Sequence, residues 1–136
     1  MRFAVLQHTL PINSIRTSHW DLLLQFAEYR SKDDKCLDCF ELSLPPAQWS
    51  SLLISRLPSH RALYLDYVGP ISGDRGSVEQ VMVGEVQWHS RDENVTEFDL
   101  ISDPNRRPEH WPASGQRIKL THAEKDRWFL QLLAPS

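Results

Sequence analysis

Short apolar segments recur along the chain between turn-forming residues, and S-H-W-D-L-L-L-Q-F alternates as a β-strand does. Successive strand side chains point to opposite faces. Trp20, Leu22, Leu24 and Phe26 therefore share one face, which reads as core, and His19, Asp21, Leu23 and Gln25 share the other. The pattern predicts strands near 2–8, 19–27, 36–43, 61–68, 79–89, 96–101, 116–122 and 127–133. Many short strands of this kind imply an all-β fold. The expected architecture is a small closed or partly closed antiparallel β-barrel, or a sandwich, with at most one short helix. P-P-A-Q-W-S-S-L-L is the best place for that helix, with proline in the first turn and Trp49, Leu52 and Leu53 at helical spacing. D-R-W-F-L-Q-L-L follows T-H-A-E-K closely and predicts a hairpin across Glu124, Lys125 and Asp126. Residues 103–112 carry three prolines and read as a loop. G-P-I-S-G-D-R-G, with three glycines, reads as a loop that needs unusual backbone angles or close approach to a ligand; a plain β-turn is the commoner use.

At 136 residues, one compact domain spanning 1–136 is expected. A hydrophobic fraction of 40% with five Trp argues for a packed core and against disorder. M-R-F-A-V-L-Q-H-T-L-P lacks the pattern of a secretory leader, and no apolar run approaches membrane-spanning length, so a cytoplasmic protein without membrane association is expected. The formal charge of −3 supplies no overall attraction to nucleic acid, so any basic patch must be local, as at Arg56 with Arg61 or Arg106 with Arg107. The only cysteines, Cys36 and Cys39, form a single C-x-x-C. A zinc ribbon needs a second such pair, and a thioredoxin-like motif needs a helix to open, so packed or partly exposed free thiols are expected.

On the polar face of the second strand, His19 and Asp21 project side by side and offer an imidazole nitrogen and a carboxylate oxygen to one cation. His8, at the end of R-F-A-V-L-Q-H, supplies a third ligand if the first two strands pair across residues 9–18. Two His and one carboxylate leave coordination positions open for water or a substrate oxygen, as metal-assisted hydrolysis requires. The alternative stays open: H-x-D also arises by chance, and His8 then merely ends a strand. In S-H-R-A-L-Y-L-D-Y-V-G, His60, Ala62, Tyr64 and Asp66 share a face if the strand is regular. His60 and the Tyr64 hydroxyl could then reach one phosphate oxygen; such a pair otherwise marks a strand with a polar rim. His89, His110 and His122 have no partner spacing, and a surface or hydrogen-bonded ring is expected for each.

The stretches F-A-V-L-Q-H, H-W-D-L-L-L-Q, H-R-A-L-Y-L-D-Y-V-G and R-W-F-L-Q-L-L, in that order across most of the chain, resemble the 3'-phosphoesterase domain of bacterial DNA ligase D. The resemblance implies a compact β-barrel with a manganese-dependent activity that trims ribonucleotides and phosphates from DNA 3' ends during end repair. It implies DNA primer-templates as substrate and ligase, polymerase or other end-joining proteins as partners. By position it makes His8, His19 and Asp21 the metal ligands, and His60 and Tyr64 the groups flanking the scissile phosphate.

The departures are specific. Leu23 stands where the family carries a phosphate-gripping arginine, and a further family lysine and arginine fall near Leu44 and Leu52. Val68 replaces the acidic residue usual before the glycine of the next turn. Each lost charge-assisted bond removes about 1.5–3 kcal/mol of phosphate binding. Arg16, Arg56, Arg61 and Arg75 are the candidate replacements. The expected function is a metal-dependent 3'-end-processing phosphoesterase. The alternatives are a weakened or inactive module that binds nucleic-acid ends or a repair partner, and a metal-dependent enzyme acting on a different phosphoester.

Overall fold

The computed structural model describes residues 1–15 and 17–134. The strands are β1 (Arg2–Thr9), β2 (His19–Gln25), β3 (Lys35–Leu42), β4 (Leu52–Arg61), β5 (Gly69–Pro70), β6 (Ser77–Arg91), β7 (Val95–Ser102), β8 (Gln116–Glu124) and β9 (Arg127–Leu133). They form one antiparallel sheet in the order β1-β2-β3-β4-β9-β8-β7-β6-β5. Pairing of β1 with β6 closes eight of them into a barrel, with β5 as a short arm on β6. The 15-residue β6 serves both neighbours, pairing with β1 through residues 77–85 and with β7 through residues 84–91. Among the described residues each of the eight barrel strands has a neighbour on both sides. No described helix is long and apolar enough to cross a membrane.

The barrel interior holds Phe3, Leu22, Leu24, Phe40, Met82, Phe98, Leu100, Ile118, Leu120 and Leu130 among others, all essentially inaccessible. Trp49 and Trp111, on loops, join this cluster with rings 6.1 Å apart. Alternation is clearest in β7, where every second residue is buried. A second apolar cluster lies on the opposite face of β1 to β3. Ala4, Leu6, Leu23, Leu37 and Cys39 are covered there by Ala62 and Leu65 of a 3-10 turn over Ala62–Leu65. Burial on both faces explains the unbroken run Leu22-Leu23-Leu24, each of which has no exposed surface. Cys36 and Cys39 are free thiols in this second cluster. Burial pushes both thiols up, so neither is poised as a nucleophile.

Two expectations are corrected. The strand expected over 61–68 lies earlier, at Leu52–Arg61, and the chain then turns into the 3-10 segment. Leu65 is wholly buried because the turn caps the outer face of β1 to β3, and that burial outweighs the strand-like alternation of L-Y-L-D-Y. Asp66 accordingly leaves the face of His60 and pairs with Arg2. P-P-A-Q-W-S-S-L-L forms only a single 3-10 turn, Pro46–Gln48, because Trp49 is drawn into the barrel cluster and Leu52 already begins β4. The last hairpin forms as expected, with Glu124 opposite Arg127 and Lys125 at positive φ.

Candidate metal centre

The β1–β2 ladder sets His8 directly opposite His19 and Leu6 opposite Asp21. All three polar side chains point to the outer face, where the second cluster ends. The possible ligand atoms of His8, His19 and Asp21 lie within 4.8 Å of one another. His19 and Asp21 are buried, with side chains 6% and 8% exposed, and His8 is 17% exposed.

Backbone carbonyls fix both rings. His19 Nδ1 lies 3.3 Å from the Thr17 carbonyl, and His8 Nε2 lies 2.8 Å from the Arg75 carbonyl. A carbonyl oxygen only accepts, so each of these nitrogens carries its proton and donates. The opposite nitrogens turn inward: His19 Nε2 stands 3.2 Å from Asp21 Oδ1, and His8 Nδ1 stands 3.6 Å from Asp21 Oδ2. In neutral rings these nitrogens present lone pairs to a carboxylate, an arrangement that requires either protons or a cation between them. Anchoring one imidazole nitrogen on the backbone and aiming the other inward is the usual support of a metal-ligating histidine. Asp21 Oδ1 is buried and has no hydrogen-bond partner among the described residues. Burial pushes the His19 imidazole toward its neutral form, but the Asp21 and Glu41 carboxylates outweigh it and raise its pKa. Burial likewise opposes ionisation of Asp21, yet the two histidines hold its carboxyl below the usual range. With an ion in place of the protons, two imidazole nitrogens and one ionised carboxylate, with an unsatisfied buried oxygen, make a donor set that fits a divalent ion.

The loop before β6 makes this anchor possible. Ile71 N–H donates to the Gly76 carbonyl, and Gly73, Asp74 and Gly76 have positive φ, as expected for this glycine-rich segment. A Cβ on Gly76 would stand 2.0 Å from the Thr9 carbonyl oxygen, so only glycine brings the Arg75 carbonyl to His8.

A cavity of about 320 Å³ opens beside His8, His19 and Asp21, lined also by His60, Tyr64, Arg75, Asp74, Leu23 and Leu57. His60 enters it through a bulge. Between the pairs Cys39 with Leu57 and Leu37 with His60, β4 has one residue more than β3. Pro58, which has no N–H for the ladder, sits in this irregularity. In a regular strand Leu57 and His60 would face opposite ways; the extra residue turns both toward the cavity. His60 Nδ1 donates to the Pro58 carbonyl at 2.8 Å, leaving Nε2 for a ligand. Tyr64 reaches the same cavity from the 3-10 turn, its ring 5.7 Å from that of His60. A turn rather than the expected regular strand brings the two rings together.

The candidate cations separate. Arg75 lines the cavity, with its guanidinium held by the Ser72 carbonyl and hydroxyl. Arg61 lines a neighbouring depression and touches the site through Tyr64, over whose ring its guanidinium lies at 5.6 Å. Arg56 does not line the cavity. It pairs with buried Asp38, which also takes Arg91, and packs over Phe40 and Trp128. Arg16 lies outside the described residues. Leu23 lines the cavity but is wholly buried, and Leu44 and Leu52 pack against the barrel core. His89 pairs with Asp99, His122 meets the Lys125 carbonyl, and His110 is exposed, in line with the bland readings.

Glu41 was not singled out from the sequence. Its Oε1 lies 3.2 Å from His19 Nε2. A signal was present, since Glu41 is an acidic residue between Phe40 and Leu42 in a strand of otherwise mostly buried residues. No protein-family model matches the chain, and no curated protein matches it.

Proposed function

We propose that this protein is a divalent-metal-dependent phosphoesterase that processes DNA 3' ends, removing a terminal phosphate or ribonucleotide, with Mn²⁺ as the ion. The observation that carries the reading is the convergence of His8, His19 and Asp21 with His60, Tyr64 and Arg75 around one cavity. His8, His19 and Asp21 would hold the ion, which when bound supplies Lewis-acid charge to a phosphoryl oxygen. With Nδ1 committed to the Pro58 carbonyl, His60 can present Nε2 to the substrate, accepting a proton when neutral and donating one when charged. Tyr64 can donate its hydroxyl proton to a phosphate oxygen, while Arg61 beside it adds positive charge. Arg75 is the cavity's own guanidinium and stands in for the cationic residue that Leu23 lacks.

The test is incubation with Mn²⁺ and a primer-template ending in a 3'-phosphate or a 3'-ribonucleotide. Trimming is expected, and His60→Ala should lower kcat on the order of 10²–10⁴-fold. No trimming by folded, Mn²⁺-loaded protein, under conditions where a competent 3'-phosphoesterase works, would exclude the activity.

The apolar character of Leu23, Leu44 and Leu52 favours a second reading, a module that binds DNA ends without cutting them. End binding without turnover that His60→Ala leaves unchanged would select it.

A further inference from the structure

We infer that the depression adjoining the cavity at Tyr64 seats an unpaired base, that of the terminal nucleotide whose phosphate the cavity would take. The inference rests on the end-processing reading above and adds to it a second subsite for the same substrate. The depression, of about 490 Å³, is lined by Tyr64, Tyr67, Arg61, Pro70, Ile71 and Ser72. Tyr64 and Ile71 also line the cavity, so the two spaces are continuous. A row of rings runs between them. His60 and Tyr64 stand 5.7 Å apart, and Tyr64 and Tyr67 stand 5.9 Å apart with their planes at 72°. Among the described residues no acidic side chain lines the depression, and Arg61 supplies positive charge.

These groups suit stacking better than hydrogen-bond readout. The Tyr67 hydroxyl donates to the Pro70 carbonyl, which fixes the ring and uses its only proton. What Tyr67 then offers is chiefly its ring, which is only partly buried against the outer cluster. The Ser72 hydroxyl and carbonyl are already taken up by the Arg75 guanidinium. Because Tyr64 and Tyr67 meet near a right angle, a flat group laid on one ring has the other beside its edge. The Arg61 guanidinium lies 5.6 Å from the Tyr64 ring centre, and its carboxylate partner, Asp33, is 75% exposed. Bases stack on tyrosine rings and on guanidinium planes alike. A base hangs from the sugar that carries the terminal phosphate, so a phosphate in the cavity brings a base to the adjoining depression. Stacking tolerates every base, but the base must first leave the duplex. The subsite therefore selects frayed or mismatched ends over paired ones, with little preference for base identity.

The experiment is fluorescence anisotropy of the full-length protein in Mn²⁺ with a labelled primer-template. Its last primer nucleotide is mismatched and ends in a 3'-hydroxyl, the product end, so binding is read without turnover. Tyr67→Leu, which keeps bulk but removes the ring, should weaken binding at least about fivefold, and Tyr67→Phe should stay within about twofold of wild type. The same probe with an abasic last nucleotide should bind the wild type at least about fivefold more weakly and be indifferent to Tyr67→Leu. Circular dichroism confirms folding of each variant. Wild-type affinity in Tyr67→Leu, or an equal loss on the intact and abasic probes, would overturn the inference and leave the end-processing reading standing. Absence of end binding by a wild type that trims 3' ends would likewise overturn the inference alone; absence of both binding and trimming would remove the two together. Should Tyr67→Leu not fold, equal wild-type affinity for the intact and abasic probes decides against the base subsite.

Discussion

His8 and His19 face each other across the first two strands with their rings edge to face and 4.8 Å apart, each held by a backbone carbonyl on its outer side. Asp21, one strand alternation along, completes the set. A carboxylate between two imidazoles whose outer protons are already committed is organised for a cation. Asp21→Asn keeps the shape and removes the charge. Mn²⁺ at about a hundred times its dissociation constant should stabilise the wild type by about 2.7 kcal/mol, visible as a rise in Tm. Asp21→Asn should show no rise at the same concentration. An equal rise in both would rule out Asp21 as a ligand.

Arg75 contributes to the site twice, through its carbonyl to His8 and through its guanidinium on the cavity wall. Arg75→Ala keeps the carbonyl. It should leave Mn²⁺ affinity unchanged and raise KM for a 3'-phosphate end on the order of 10-fold or more, as expected for one lost charge-assisted bond. An unaltered KM would remove Arg75 from phosphate binding.

Leu23 invites replacement by the arginine it lacks. The side chain is fully buried, between Ala4 on β1 and Cys39 on β3. Leu23→Arg would bury a guanidinium in an apolar cluster and should cost on the order of 3 kcal/mol in urea unfolding. Near-wild-type stability with increased turnover would contradict the packing role assigned to Leu23.

Gly76 controls a candidate metal ligand, His8, that it does not touch. At φ +84 with the Thr9 carbonyl in the way, Gly76→Ala should cost more than about 1–2 kcal/mol and move the Arg75 carbonyl from His8. Reduced Mn²⁺ affinity with every ligand intact is the expected result. Gly73→Ala separates backbone strain from the close approach, because Gly73 shares a positive φ, +75, but its Cβ would meet only the Arg75 side chain at 3.7 Å. Equal Mn²⁺ affinity in wild type and Gly76→Ala would break the link between loop and ligand.

Asp99 should give an acid-dependent share of stability away from the site. The Arg117 guanidinium hydrogen-bonded to it, with help from His89, holds its carboxyl below the usual carboxylate range. A group depressed in the folded state stabilises above its unfolded pKa, near 4, and the contribution is lost as pH falls through the folded value. Asp99→Asn should therefore lower the urea midpoint more at pH 6 than at pH 3. Equal losses at both pH values would show that the ionised form carries no such share.

The legible parts of the fold were those where one period dominates. In β7 to β9, Phe98, Leu100, Ile118, Leu120 and Leu130 alternate inward, and the hairpin turn at Lys125 and Asp126 separates two strands by two residues. The segment from Leu52 to Leu65 was not legible. Pro58 argues against a strand unless a bulge absorbs it, and L-Y-L-D-Y alternates like a strand although the chain needs it as a lid over Leu23 and Leu37. Glu41 stayed hidden because its approach to His19 depends on the register of β3 against β2, which strand periodicity alone does not define.

By itself the sequence determined which residues could meet. Period-two alternation places His19 beside Asp21 on one face, and the segment before it ends in His8. Tertiary structure decided which of them do meet. Pairing of β1 with β2 set the histidines opposite each other, and the register of β3 brought Glu41 to His19. The bulge in β4 and the 3-10 turn carried His60 and Tyr64 to the same cavity, and the Gly76 loop brought a carbonyl to His8. The physical reason is that a side chain's face follows from local backbone geometry, whereas its neighbours follow from strand register, bulges and loop closure. Those are fixed only when two separate apolar clusters are buried at once.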